Sequence, residues 1–372
     1  MKDYIFILGR NPELSLAEII SYFKSKNIVY ELKNIGNDAV VFFLDEKKVN
    51  FNKMIESLGG TLKIGEVLSE GDIENMIPYD GVASKFKYSI SSYGDDFLLS
   101  DFMNYLKKWF KSQKIKAVHK KSGIDKLTPR DIGRNTIEYV VYGRYIAKVI
   151  VTSNPSEYKD RDQNRPVNDF LKNTSIRLSK IMVNLSQPKK NGVFLDPFCG
   201  TGVILQEAML NGVNVIGVDL DRKSSIAAKK NCDWINKKYG LKKGFKILNG
   251  DSTQLKRYLS AESVDSIATE PYMGPYLKDI PTISEARRIS KELEPLYFGV
   301  LKNLKKVKRK DAKIAIIVPV FKVKKSDNIE FDFQAILKNL DLEIVELDEN
   351  VKFPIKYVDK KSKIIRKIYV LN

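Results

Sequence analysis

The chain has 372 residues, room for two or three domains, and its 43% hydrophobic content is ample for buried cores. Lys and Arg number 64 against 46 Asp and Glu, a formal charge of +18 with a pI near 9.5, and that balance favours a polyanionic partner. No apolar run is long enough to span a membrane and no charged-then-apolar leader opens the chain, so neither a membrane protein nor a secreted one is expected. The two cysteines, Cys199 and Cys232, are too few and too far apart for a zinc cluster, and a disulfide across that span is not expected. The single histidine, His119, excludes a multi-histidine metal site, so no metal is expected and a reducing cytoplasm fits.

Taken in chain order, Tyr4 to Leu8 reads as a strand, Leu14 to Lys24 as a helix, and Ile28 to Leu32 and Ala39 to Leu44 as strands around Gly36-Asn37. Phe51 to Leu58 then reads as a helix and Thr61 to Val67 as a strand, a β-α-β-β-α-β order that predicts a ferredoxin-like domain over 1–70. That scaffold is widely reused and names no function. From Lys85 to about Thr152 come a strand, an amphipathic helix near Phe102 to Phe110, and a hairpin of Ile137 to Tyr142 with Arg144 to Val151 turning at Gly143. These make a second α+β module over 71–153.

Between Phe102 and Ile124 lie Lys107, Lys108, Lys111, Lys114, Lys116, Lys120 and Lys121 with no acid among them, and Trp109, Phe110 and His119 are interleaved. Lysines on one exposed face often do no more than keep a helix solvated, but ordinary surfaces intersperse both signs, so an unbroken single-sign stretch points to phosphate binding. The runs Lys302 to Lys310 and Lys360 to Lys367 carry less weight, because the first ends a long helix where cations suit the macrodipole. Asn154 to Asp169 is polar and reads as a linker, with Arg165 added to the residues expected to meet a polyanion.

The segment 170–372 reads as an α/β domain. Its apolar run Val193-Phe194-Leu195 leads into Asp196-Pro197-Phe198-Cys199-Gly200-Thr201-Gly202, and a helical pattern follows from Val203 to Leu210. A strand that turns on two glycines into a helix brings backbone N–H groups up to a nucleotide-like ligand. A dinucleotide fingerprint would need a third glycine where Val203, Ile204 and Leu205 stand, and a phosphate-binding P-loop would need a lysine after the glycines. An acidic turn with neither suits a zwitterionic methionine moiety, so S-adenosyl-L-methionine (SAM) is favoured over NAD and ATP.

Three further apolar runs end in polar residues. Val213 to Val218 ends in Asp219-Leu220-Asp221, where a carboxylate can take ribose hydroxyls; Phe245 to Leu248 ends in Asn249-Gly250-Asp251, where an acid can accept from an adenine amine; Val264 to Ala268 leads into Thr269-Glu270-Pro271-Tyr272. Any one of these acids alone reads as a helix cap before a ligand, but the ordered set points to a ligand at the carboxyl ends of a parallel sheet. Ser284 to Val307 is helical with a kink expected at Pro295, Ile314 to Val318 is a fifth strand, and Leu342 to Leu347 and Ile364 to Leu371 are expected as a sixth and seventh, paired antiparallel.

The glycine motif, Gly217-Val218-Asp219-Leu220-Asp221, the upstream Asn173-Thr174-Ser175-Ile176-Arg177-Leu178-Ser179-Lys180, and the opening Ile7-Leu8-Gly9-Arg10-Asn11-Pro12-Glu13-Leu14 together resemble the THUMP-containing tRNA guanine-N2 methyltransferases that act on the D-stem. The resemblance implies a seven-stranded Rossmann-like class I methyltransferase domain preceded by a ferredoxin-like and THUMP module that grips tRNA. It places SAM against Thr174, Asp196, Pro197, Phe198, Cys199, Gly200, Thr201, Gly202, Asp219 and Asp251, while the basic stretch assigns Lys107, Lys108, Lys111, Lys120 and Lys121, with Arg165, to RNA. The family's usual catalytic tetrapeptide is Asp-Pro-Pro-Tyr, and this chain departs from it with Glu270-Pro271-Tyr272-Met273-Gly274-Pro275. Glu270, the carbonyl near Pro271 and the Tyr272 ring nonetheless supply an acceptor for an exocyclic amine, a second acceptor and a stacking face.

The reading is therefore SAM-dependent methylation of an exocyclic base amine in RNA, with guanine N2 in tRNA foremost. A DNA adenine-N6 or cytosine-N4 methyltransferase, which would share the catalytic loop, and an RNA-binding protein with a decayed site are the alternatives.

Overall fold

A computed structural model describes residues 1–95, 97–120, 136–169, 174–324, 327–359 and 362–372. They divide into two compact units, 1–16 with 26–159, and 17–25 with 160–372. In chain order the elements up to residue 152 are β1 (Lys2–Leu8), α1 (Pro12–Ser25), β2 (Tyr30–Ile35), β3 (Ala39–Leu44), α2 (Phe51–Ser57), β4 (Thr61–Glu70), β5 (Lys85–Tyr93), α3 (Leu99–Ser112), β6 (Lys116–His119), β7 (Thr136–Tyr142) and β8 (Tyr145–Thr152).

All eight strands join one sheet in the order β2-β3-β1-β4-β8-β7-β5-β6. The first four lie as a β-α-β-β-α-β unit would arrange them. The sheet then continues past residue 70 through an antiparallel ladder between β4 and β8, from Lys63 opposite Thr152 to Glu70 opposite Tyr145. On α3, Phe102, Leu106 and Phe110 recur at helical spacing and are buried against Phe86, Tyr88 and Tyr139. That burial fixes the helix's outward face as the one that carries its lysines.

The remaining elements are α4 (Pro155–Asn164), α5 (Ile176–Leu185), β9 (Val193–Asp196), α6 (Val203–Leu210), β10 (Asn214–Asp219), α7 (Arg222–Tyr239), β11 (Phe245–Asn249), β12 (Ser266–Thr269), α8 (Ile283–Val307), β13 (Ile314–Phe321), α9 (Phe333–Leu340), β14 (Ile355–Tyr357) and β15 (Ile364–Leu371). Their strands form a sheet in the order β11-β10-β9-β12-β13-β15-β14. The first five of these are parallel, and β15 runs antiparallel to both β13 and β14. Strand order reverses between β9 and β12, and a crevice opens at the carboxyl ends of strands at such a point. Helix starts are set by local side chains: Ser175 accepts from the Leu178 N–H, Asp221 from Lys223 and Ser224, and Thr282 from Glu285. The core under α8 gathers Leu293, Tyr297, Leu301 and Leu304 against Ile314, Ile316 and Phe321. Among the described residues no helix is long and apolar enough to cross a membrane.

Three expectations change. Leu342–Leu347 is not a strand: it makes a single bridge, Ile344 with Leu371, and the strand beside β15 is Ile355–Tyr357. Leu342, Val345 and Leu347 are buried, so their alternation reported burial rather than ladder pairing. The polar stretch read as a linker contains α4, and its arginines face inward. Arg161 makes a bidentate pair with Glu207, Nε to Oε1 and Nη2 to Oε2 both at 3.0 Å. Arg165, expected at an RNA surface, is buried with Nη2 donating to Asp162 at 2.6 Å, so it is not displayed to a polyanion.

Candidate active site

The turn from β9 into α6 is built by its glycines and by bonds from neighbouring strands. Gly200 has φ +51° and Gly202 φ +85°, a region in which side chains other than glycine are strained. A Cβ on Gly202 would also lie 3.3 Å from Ala228, whereas nothing stands within 4 Å of the corresponding position on Gly200, so the turn is open there. The Gly202 N–H donates to the Cys199 carbonyl at 2.7 Å, and the Cys199 N–H to Val218 at 3.0 Å, fastening the turn to β10. Gly217 on β10 leaves room for this: a Cβ would meet Leu205 at 2.6 Å and Cys199 Sγ at 2.9 Å.

Asp196 ends β9 and is 1% exposed. Its Oδ1 accepts from the Phe198 N–H at 3.1 Å and the Thr269 hydroxyl at 2.8 Å, while among the described residues Oδ2 accepts no hydrogen bond. Burial pushes this carboxyl up to about 7, against the pull of those two donors. Asp219, at the end of β10, accepts from the Gly200 N–H through Oδ2 at 2.8 Å and from the Asp221 N–H through Oδ1 at 2.9 Å. Asp251 follows β11 and accepts from the Thr253 hydroxyl at 2.7 Å and N–H at 2.8 Å and from Gln254 at 2.9 Å; the Thr253 bond leads in holding its carboxyl below the usual range. The Ser252 hydroxyl donates to the Pro197 carbonyl, Phe198 packs on the core, and Cys199 is buried as a free thiol whose ionisation burial opposes.

Glu270 comes one residue after β12, across the switch point from Asp196. Its Oε1 accepts from Arg366 Nε at 2.6 Å and its Oε2 from the Thr174 hydroxyl. Thr174 thus meets the carboxylate expected to hold the target amine. Pro271 is buried and Tyr272 is 55% exposed. Beneath them the buried Tyr297 hydroxyl lies 3.3 Å from the Ile317 carbonyl and 3.5 Å from that of Tyr272. Gly274 has φ +98°, and a Cβ there would strike Ile289 at 2.7 Å, so the loop can turn at this point only on glycine.

Lys107, Lys108 and Lys111 stand exposed on α3 and Lys120 follows β6; none makes an ion pair with a described residue. Lys121 and Asn173 lie outside the described residues. His119 stacks on Tyr88 with ring centroids 5.0 Å apart.

Sequence reading missed three residues that hold this site. In sequence Thr269 is marked only as the residue before the acid. Asn231, fully buried on α7, donates to the Thr201 carbonyl at 2.8 Å and to Val167 at 2.8 Å and accepts from the Val167 N–H at 3.0 Å. Arg366 is 96 residues from its partner Glu270, and only the pairing of β15 with β13 brings it there. A polar residue mid-helix in an otherwise apolar stripe was the available signal for Asn231; no local pattern signals Arg366.

Residues 165–326 match the family model described as UPF0020, RMKL-like, methyltransferase domain. A tRNA (guanine(10)-N2)-dimethyltransferase of Methanothermobacter thermautotrophicus is 40% identical over 100 residues, 27% of this chain and 27% of the relative. One from Methanocaldococcus jannaschii is 38% identical over 101 residues, 26% of this chain and 28% of the relative. The matched stretch is thus little more than a quarter of either relative's length. The crystal structure of TrmN from Thermus thermophilus superposes with a TM-score of 0.52 at 14% identity, covering 100% of this chain and 99% of that one, a likeness of fold.

Proposed function

We propose that this chain is a SAM-dependent methyltransferase that modifies the exocyclic N2 of a guanine in tRNA, in the cytoplasm. The observation that carries the reading is the Thr269 bond to Asp196, which sets a buried acid, with one oxygen that accepts from no described residue, beside Glu270 at the switch point of a parallel sheet. The relatives matched over about a quarter of the chain are named for guanine 10 of tRNA, which supports that base as the target.

The residues present fit the cofactor. Asp196 Oδ2 is an acceptor without a described partner, suited to the ammonium of a methionine moiety, and the open side of Gly200 leaves space above the turn. Asp219 would take the ribose hydroxyls and Asp251 would accept from the adenine amine, with Pro197, Phe198, Cys199 and Thr201 lining the bound cofactor. When bound, SAM supplies a methyl group on a sulfonium that needs no acid or base to activate it. The protein's work is then positioning. Glu270 accepts from the target amine and orients its lone pair, the carbonyl near Pro271 supplies a second acceptor, and the exposed Tyr272 ring stacks on the extruded base. The proton leaves to solvent or to a carboxylate.

In this reading 1–70 and 71–153 form the RNA-gripping module, the latter THUMP-like, with Lys107, Lys108, Lys111 and Lys120 on phosphates; 170–372 is the catalytic domain, reached through 154–169. Incubation of the protein with unmodified total tRNA and methyl-labelled SAM, followed by nucleoside mass spectrometry, tests this. N2-methylated guanosine is expected. Label confined to adenosine or cytidine, or label accepted by DNA alone, would overturn it.

A further inference from the structure

The pair formed by Glu270 and Arg366 has more hydrogen-bonding capacity than the fold uses. Arg366 projects from β15, opposite Pro319 of β13, and commits only Nε, at 2.6 Å to Glu270 Oε1. Among the described residues its two terminal amino groups donate to nothing. Its side chain keeps 21% of its surface open and that of Glu270 keeps 10%, so the pair borders the crevice rather than the core. Burial disfavours the guanidinium charge, but the Glu270 carboxylate outweighs this and holds Arg366 above its ordinary value. The Thr174 hydroxyl fixes Oε2 from the other side. The crevice wall therefore reads, in sequence, acceptor at Oε2, acceptor at Oε1, donor at the Arg366 amines.

Guanine presents the complementary order along its Watson–Crick edge: the N2 amine donates, N1–H donates and O6 accepts. Adenine and cytosine carry their amine next to a ring nitrogen that accepts, which would face Oε1 lone pair to lone pair. We propose that Glu270 and Arg366 act together as the base-reading element of this enzyme, with the carboxylate taking N2–H and N1–H and the Arg366 amines donating to O6. The inference rests on the proposed function and adds to it the origin of the choice of guanine. It makes Arg366 a specificity-determining residue, distinct from a side chain that only steadies Glu270. A site built to hydrogen-bond a polar edge rejects an analogue lacking it by far more than an apolar pocket can.

The test uses the full chain, labelled SAM and two synthetic tRNAs, one with guanine at the target position and one with 2,6-diaminopurine. The second base keeps the amine at C2 but replaces O6 by an amine and N1–H by a bare acceptor. In single turnover the wild type should favour guanine by about 10²-fold or more. Arg366→Met should narrow that preference at least tenfold. Arg366→Lys, which keeps a cation beside Glu270 but not the fork, should recover rate on guanine more than it recovers the preference. A variant slowed equally on both bases would overturn the proposal and leave Arg366 a steadying residue. An unchanged preference with weakened, less salt-dependent RNA binding would also overturn it, in favour of a phosphate contact. A wild type inactive on the guanine RNA would sink the proposed function itself, and the inference with it. Thermal unfolding of both variants separates these results from misfolding.

Discussion

The Thr269 hydroxyl donates to Asp196 Oδ1 across 2.8 Å and so ties together the ends of the two strands, β9 and β12, between which strand order reverses. One oxygen of a fully buried acid is thereby occupied and its rotamer fixed, while the other accepts from no described residue and is the one proposed to meet SAM. Thr269→Val keeps the shape and removes the donor. SAM affinity should fall by up to about 1.5–3 kcal/mol, the scale for a lost bond to a charged group, while Thr269→Ser should hold it. Calorimetric titration with SAM reads both, and equal affinities in wild type and Thr269→Val would detach this bond from cofactor binding.

The elevated titration of Asp196 has a defined sign. Its carboxyl is pushed up to about 7 by burial, whereas in the unfolded chain it titrates near 4, so the folded state holds the proton more tightly. The contribution to stability is therefore complete below about pH 4 and is lost as pH rises to about 7. Asp196→Asn removes this titration. Between pH 4 and 7.5 the urea-unfolding stability of the variant relative to wild type should rise by as much as about 4 kcal/mol. A gap that does not change with pH would contradict the assignment.

Local signals made much of the catalytic half legible before any coordinates. The glycine turn is conspicuous because φ near +51° and +85° demands glycine, and each acid at a strand end also caps the helix or turn that follows or grips its backbone, as Asp219 and Asp251 do. Less legible were features that depend on pairing across long separations. Arg366 reaches Glu270 only because β15 runs antiparallel beside β13, and the ladder of β4 with β8 joins what sequence divides at residue 70. Helix α9 went unread although Asp332 caps it and Phe333, Ile336 and Leu337 give it a buried face, because the neighbouring Leu342, Val345 and Leu347 suggested strand instead. In and just after α4 the inward residues include Arg161 and Arg165, so a polar composition concealed burial.

The lysines of α3 give a test that leaves the catalytic residues alone. With Lys107 and Lys111 both changed to Ala, the slope of log binding constant against log salt for tRNA should drop by roughly one to two units, while SAM affinity stays put. An unaltered salt slope would make these side chains a solvated surface only.

Glu270 replaces the shorter acid of the resembling family, and the structure gives the extra methylene a purpose: Oε1 and Oε2 span the gap between Arg366 and Thr174. Glu270→Asp should draw the carboxylate off both partners and lower kcat by about tenfold, since small misplacements of positioning groups are costly. Activity equal to wild type would show the longer side chain to be a neutral variation.

The central claim is that Glu270 positions the target amine for methyl transfer, and single-turnover methylation of tRNA at saturating SAM tests it most directly when wild type and Glu270→Ala are compared. Because the proposed contact is with the amine and not with the cofactor, the variant should lose about 10²-fold or more in rate with SAM affinity unchanged. Full activity in Glu270→Ala would contradict the account.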